Sequence, residues 1–310
     1  MNSGTPLPER LRHPARTLTP GELAAQWFHQ CLEVRLTGYG VLADRTGILN
    51  KVRGAIGQAL MESASKEALA GNPCPWSPPC GLDVFFREQL RIGRHGLPKP
   101  LVLSFDRARR DLVVRCTVFG LACDWAPVLQ DHLVSALLKR IPWSRAAPDL
   151  SLPEPNIAHA RLRTVSGLGL EEVPGAVEIS FLSPVDASAT DPLDAPHSLI
   201  GRLVRRIDGL ARWQDAGLEL DWPGIDAASR ELDYDVSGLR RRQQPRRMGR
   251  AGKNLNAPTL SGVLAVGGDL RPVWPFLVVG ETCHMGRGAV QGLGRYRLCP
   301  DPPPGEHNPV

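Results

Sequence analysis

One hydrophobic rhythm occurs twice along this chain and constrains its fold more than any other feature. In Phe28–Leu36, Phe28, Leu32, Val34 and Leu36 share one face, while His29, Cys31, Glu33 and Arg35 share the other. A period of two marks a strand with one buried face. After the turn Gly38-Tyr39-Gly40, a stripe of Ile48, Leu49, Val52, Ile56, Ala59 and Leu60 predicts a helix. Strands are predicted at residues 101–105 and 112–121, joined by a polar turn at 107–111. Pro127 opens a second helix with Val128, Leu129, Leu133, Ala136 and Leu137 inward, and a strand near 160–165 closes the unit.

The same order then recurs. Residues 177–182 read as a strand, and a helix over 197–213 carries Leu199, Ile200, Leu203, Val204, Ile207 and Leu210 on one side. Strands follow near 231–236 and 260–266, then a short helix at 273–281 and a last strand at 293–299. The predicted class is α+β: two tandem ferredoxin-like (βαββαβ, RRM-like) domains with a C-terminal Gly-rich loop. A length of 310 residues and 42% hydrophobic content support two real cores. The expected division is a flexible tail at 1–20, domains at 21–173 and 174–299 with a hinge near 171–175, and a disordered Pro-rich tail at 300–310. Such a fold fixes no activity by itself. Its sheet is a common RNA platform, but the aromatics that stack bases on an RNA-recognition motif are missing from these strands.

Charge narrows the partner. The net charge is +5 with a pI near 9.0, and the cations cluster. Residues 240–253 hold Arg240, Arg241, Arg242, Arg246, Arg247, Arg250 and Lys253 with no acid among them. Such a run is expected to stay mobile until it meets an anion, RNA or DNA above all, although a solvated loop has the same composition. Further on, Gly286, Gly288, Gly292 and Gly294 alternate with Arg287 and Arg295 in the loop 286–294 and its flank. Glycines allow close backbone approach, and successive N–H groups can form an anion-binding nest, so the loop is expected to seat phosphates.

Seven cysteines and a Pro- and Arg-rich N-terminus without an apolar signal core fit free thiols in a reducing cytoplasm. No run approaches the length of a membrane span. Cys74 and Cys80 flank a Pro-rich turn but lack the second pair of a zinc knuckle. Asp233 and Asp235 lie two apart, which reads more simply as an exposed strand than as a metal pair. No metal or cofactor is expected.

The C-terminal half resembles the CRISPR-associated repeat-processing endoribonucleases of the RAMP superfamily. The resemblance rests on Arg241-Arg242-Gln243, Ser261-Gly262-Val263-Leu264, Gly280-Glu281-Thr282-Cys283-His284, Gly286-Arg287-Gly288 and Gly292-Leu293-Gly294-Arg295-Tyr296, in that order. Lys51-Val52-Arg53-Gly54-Ala55-Ile56-Gly57 and Cys74-Pro75 with Asp83-Val84-Phe85-Phe86 extend it into the N-terminal half. The resemblance implies binding of a CRISPR repeat and metal-independent cleavage of the precursor transcript. There the ribose 2′-OH attacks its neighbouring phosphate, which needs a base, an acid and positive charge on the phosphorane. It implies partners as well: the repeat or guide RNA and other subunits of an effector complex.

Under that resemblance His284, beside the Gly-rich loop, is the first candidate acid or base; capping the helix or bonding RNA are its alternatives. His29, on the polar strand face with Arg35, is the second candidate, with an ordinary surface histidine as its alternative. Tyr39 could polarise the 2′-OH or simply pack. Lys51 and Arg53 could stabilise the phosphorane or form a solvated helix face. The chain departs from family members that carry a histidine in or near the first helix, since none lies between His29 and His95. A non-catalytic RNA-binding subunit and a ferredoxin-like regulator binding a small ligand or DNA stay open beside the enzyme.

Overall fold

The computed structural model describes residues 5–45, 47–92, 95–170, 172–188, 191–248 and 253–300. The N-terminal domain contains β1 (Phe28–Leu36), α1 (Ile48–Met61), β2 (Leu101–Ala108), β3 (Asp111–Phe119), α2 (Ala126–Ser135) and β4 (Ile157–Ser166). Its antiparallel sheet runs β2-β3-β1-β4, so each helical crossover skips one strand, as in a ferredoxin-like unit. The predicted stripe of α1 is buried through Ile48, Val52, Ile56, Ala59 and Leu60. On α2 the inward face is Ala126, Leu129 and Leu133; Val128, expected inward, is one helical step off that face and 44% exposed.

The C-terminal domain repeats the plan with β5 (Ala176–Asp186), α3 (His197–Ala211), β6 (Asp233–Asp235), β7 (Leu239–Met248), β8 (Lys253–Gly267), α4 (Trp274–Cys283) and β9 (Tyr296–Pro300). The order is β6-β8-β5-β9, with β7 also paired to β8. β6 and β7 thus form the second strand of the unit in two pieces. A helix at Trp222–Glu231, not expected from the hydrophobic pattern, precedes them; the Asp221 carboxylate caps it by accepting the Gly224 N–H at 3.1 Å.

Two expectations about mobility are corrected. The basic segment was expected to be a mobile loop, but Leu239–Met248 is a strand in register with Lys253–Gly267 from Leu239↔Gly262 to Met248↔Lys253. A ladder tolerates this charge because neighbouring arginines point to opposite faces. Arg241 also meets Asp191 at 2.6 Å, and Arg242 Nε donates to Ser261 Oγ at 3.1 Å. β8 joins β5 only from Thr259 onward, so the pairing of residues 243–248 with 253–258 runs past the sheet as a two-stranded ribbon. Arg250 lies outside the described residues, as do residue 171 of the expected hinge and residues 301–310 of the expected tail; nothing is described of the Arg246, Arg247 and Lys253 side chains.

The second correction concerns residues 1–20. Leu7–Arg12 is a helix that buries Leu7 and Leu11, and Arg16–Leu18 pairs in parallel with Ala216–Leu218 of the C-terminal domain. Arg10 and the Ala15 N–H both bond Asp215, at 2.7 and 3.1 Å. A tail rich in Pro and Arg is ordered here by a partner 200 residues away.

Candidate nucleic-acid interface

The two domains meet along the edge strand β2. Trp213 Nε1 donates to the Pro98 carbonyl at 3.1 Å just before the strand, the 3-10 turn Ala289–Gln291 packs on its middle, and Arg295 reaches its far half. Beside this seam lies a cleft of about 760 Å³. One wall is the start of α1 (Gly47, Leu49, Asn50) with Ser104 and Phe105 of β2. The other is Phe181–Pro184 of β5, Arg242 and Gln243 of β7, and Thr259 and Ser261 of β8, while Gln291–Leu293 and Arg295 close one end.

The cations around the cleft have different commitments. Arg45 is bidentate to Asp149, with one contact at 2.7 Å. Arg295 grips Asp106 at 2.8 and 3.2 Å and the Phe105 carbonyl at 3.2 Å; burial holds its pKa below the usual guanidinium range. Arg242 is exposed, and its guanidinium donates to the Ser261 hydroxyl. Gly47 caps α1 in the left-handed region without a side-chain bond, and no acid sits in the first turn. The α1 N-terminus therefore turns its positive dipole end toward the cleft, with exposed Lys51 in the same turn. Arg53, one turn on, lies outside the lining. Its guanidinium sits 4.9 Å over the Phe86 ring, and burial lowers its pKa.

The Gly-rich loop does not form the expected nest at 291–295, because its donors are spent inside the protein. Gln291 and Leu293 donate to Gly288 O (2.7 and 3.2 Å), Gly292 to Ala289 O (2.9 Å), Gly294 to Pro184 O (2.8 Å) and Arg295 to Ser183 Oγ (2.9 Å). The glycines serve packing instead. A Cβ at Gly294, where φ is +71°, would lie 1.8 Å from Met285 O; one at Gly292, at +81°, would lie 2.1 Å from Leu49 Cδ1 and 3.1 Å from Leu103 O. This segment is a clamp that docks the C-terminal domain on β2 and α1. Gly286 and Gly288 also adopt positive φ, and Arg287 between them is exposed with no ion pair among the described residues.

The three aromatic candidates for chemistry are all covered. His284 is 3% exposed and ends α4 at φ +64°. Burial, then Arg206 and Arg295, push its pKa down to about 3, against a hydrogen bond with the Leu293 backbone. His29 is 7% exposed, 6.3 Å from the Phe119 ring, and burial with Arg163 pushes it to about 4. Tyr39 is fully buried; its hydroxyl donates to Pro153 O at 2.7 Å, and its ring meets Trp143 edge-on at 5.0 Å. None lines the cleft, so as placed none can touch a ribose there. The strand alternation put His29 on a polar face correctly. What it missed is the 212–214 turn of the other domain, whose Gln214 bonds both backbone groups of Phe28 at 3.2 and 2.9 Å.

Sequence reasoning also missed an ion network on the same sheet face. Glu33 accepts from Arg115 at 2.8 Å and Arg161 at 2.6 Å, with His159 at 3.4 Å, and Asp106 joins Arg115 to Arg295. The alternation of His159, Arg161 and Arg163 along β4 was its visible trace. Asp233 and Asp235 are exposed on β6. No group of three or more His, Cys, Asp or Glu among the described residues is placed to hold a metal ion, and no described helix is long and apolar enough to cross a membrane.

Residues 179–296 match the family model for the CRISPR-associated endoribonuclease Cas6. No curated protein matches the chain. Among solved structures, Thermus thermophilus Cas6 aligns at 16% identity and a TM-score of 0.51, covering 89% of this chain and 100% of that one. Another Cas6, solved as a product complex, aligns at 15% identity and a TM-score of 0.50, covering 88% of this chain and 99% of that one. The C-terminal signature and the tandem ferredoxin-like fold are both of the Cas6 type.

Proposed function

We propose that this Cas6-type chain binds CRISPR repeat RNA and cuts precursor CRISPR RNA within its repeats. The carrying observation is the inter-domain cleft, where Arg242, Gln243 and the start of α1 converge while the other described lining cations, Arg45 and Arg295, hold carboxylates; exposed Lys51 follows the lining Asn50 just outside it. The ribbon beyond the sheet bears Arg246, Arg247 and Lys253 in sequence and suits the phosphates of a hairpin stem, which is read by shape and charge.

In the proposed reaction the 2′-oxygen loses its proton and bonds to the adjacent phosphorus, and the 5′-oxygen leaves and gains a proton. The products are a 2′,3′-cyclic phosphate and a 5′-hydroxyl. The nucleophile is the substrate's own oxygen, so the step calls for positioning and charge rather than a metal-bound water. Lys51 and Arg242 take the phosphorane charge. The chain is proposed to act in the cytoplasm, to stay bound to the mature guide and to join other effector subunits with it. The burial of His29, His284 and Tyr39 favours one second reading, an RNA-binding subunit of such a complex that does not cut.

Incubation with repeat RNA in EDTA separates the two. A single cut with a cyclic phosphate end, slowed roughly 100-fold in Arg242→Ala or Lys51→Ala, is the expected result. Tight binding with intact RNA establishes the second reading. The paired change Arg246→Ala and Arg247→Ala is expected to weaken binding and flatten its salt dependence. Equal affinity of that variant and the parent at two salt concentrations would refute the ribbon as an RNA contact.

A further inference from the structure

We infer that Cys74 and Cys80 form a thiol–disulfide modification site: Cys74 takes up a low-molecular-weight disulfide, and Cys80 resolves the adduct into an intramolecular bond. Both cysteines are free, and they bracket the loop that displays Trp76, which is 52% exposed. The Cys80 N–H donates to Cys74 Sγ at 3.3 Å, and the Cys80 thiol is hydrogen-bonded to the same sulfur. The sulfurs are therefore already neighbours. The backbone around them is held, since the Cys74 N–H donates to Asp83 Oδ1 at 3.0 Å and Trp125 Nε1 donates to Pro79 O at 2.6 Å.

The two thiols differ in the way an attacking and a resolving thiol must. Cys74 is half-buried and Cys80 is 7% exposed, so an outside reagent meets Cys74 first. Burial opposes ionisation of Cys74, but the Ser65 hydroxyl, the Cys80 and Trp76 backbones and the Cys80 thiol together bring its pKa below the usual thiol value. Burial pushes Cys31, Cys116, Cys123 and Cys283 the other way. The thiolate is the nucleophile in exchange. It attacks one sulfur of the reagent and releases the other half as a thiol. The Cys80 sulfur, on losing its proton, then attacks Cys74 and releases the second half. Two protein thiols and one disulfide become one protein disulfide and two small thiols, and a dithiol reductant reverses the change.

The test is the full chain treated with oxidised glutathione and mapped as peptides by mass spectrometry. The expected product is a peptide closed between Cys74 and Cys80, lost on dithiothreitol treatment. Cys80→Ser is expected to stop at glutathione on Cys74, and Cys74→Ser to leave Cys80 reduced. Limited alkylation should label Cys74 roughly tenfold faster than Cys31. Glutathione appearing on Cys31 or Cys299 while Cys74 and Cys80 stay reduced overturns the inference, and so does a Cys80→Ser chain with no adduct on Cys74. Should either variant fold poorly, the map of the unsubstituted chain decides alone.

Discussion

Tyr39 shows how a residue can carry a suitable functional group and no means of using it. Its hydroxyl is spent on the Pro153 carbonyl at 2.7 Å inside the core. Tyr39→Phe is expected to lower stability by about 1 kcal/mol in urea unfolding and to leave RNA cleavage unchanged. The two buried histidines yield a sharper expectation. Folded, His29 titrates near 4 and His284 near 3, both lowered from 6.5. Between those values and 6.5 the unfolded chain binds more protons, so stability is full above about 6.5 and falls as the solution is acidified through that window. Urea midpoints should drop from pH 7 to pH 5, with a shallower drop in His29→Gln. A flat profile would mean that neither ring is buried as a neutral base.

At the scale of elements, the Gly-rich segment was legible as a loop that needs glycine, but its purpose was not. Sequence shows positions where positive φ is affordable; only packing shows the Leu49 side chain and the Met285 carbonyl filling the space a Cβ would take. Gly294→Ala is expected to cost about 2–4 kcal/mol, since its clash is with backbone that cannot swing away. Gly292→Ala meets chiefly the tip of the Leu49 side chain, with the Leu103 carbonyl a tight 3.1 Å away. In a Leu49→Ala background it should cost less than in the parent, leaving mainly the positive-φ penalty of about 1 kcal/mol; denaturation of the four chains of that cycle measures the coupling. Additive losses would show that the two residues do not touch. The basic run was misjudged for a related reason. Local repulsion argued for disorder, but the ladder with 253–262 supplies the backbone bonds that hold it extended.

Across the whole molecule, the seam along β2 couples the domains through Arg295 and Asp106, while the N-terminal strand at Arg16–Leu18 ties the far side to Ala216–Leu218. Asp106→Ala leaves Arg115 and Arg295 without that acceptor in a partly exposed setting and should cost about 1–2 kcal/mol. Faster hydrogen exchange at β2 and the Gly-rich loop, with β4 unaffected, is the expected pattern. Uniform change across the sheet would place the loss elsewhere.

The sequence by itself determined the class and the order of the core strands and helices in each half, because the periods of 2 and 3.6 are local properties that a chain cannot hide. It determined, too, that cations collect near 240–253. Tertiary structure alone decided which polar groups meet solvent. His29, Tyr39 and His284 were closed off by segments distant in sequence, and the exposed Arg242 was brought to the same cleft as the start of α1. Burial depends on which faces pack together, and no window of residues carries that information.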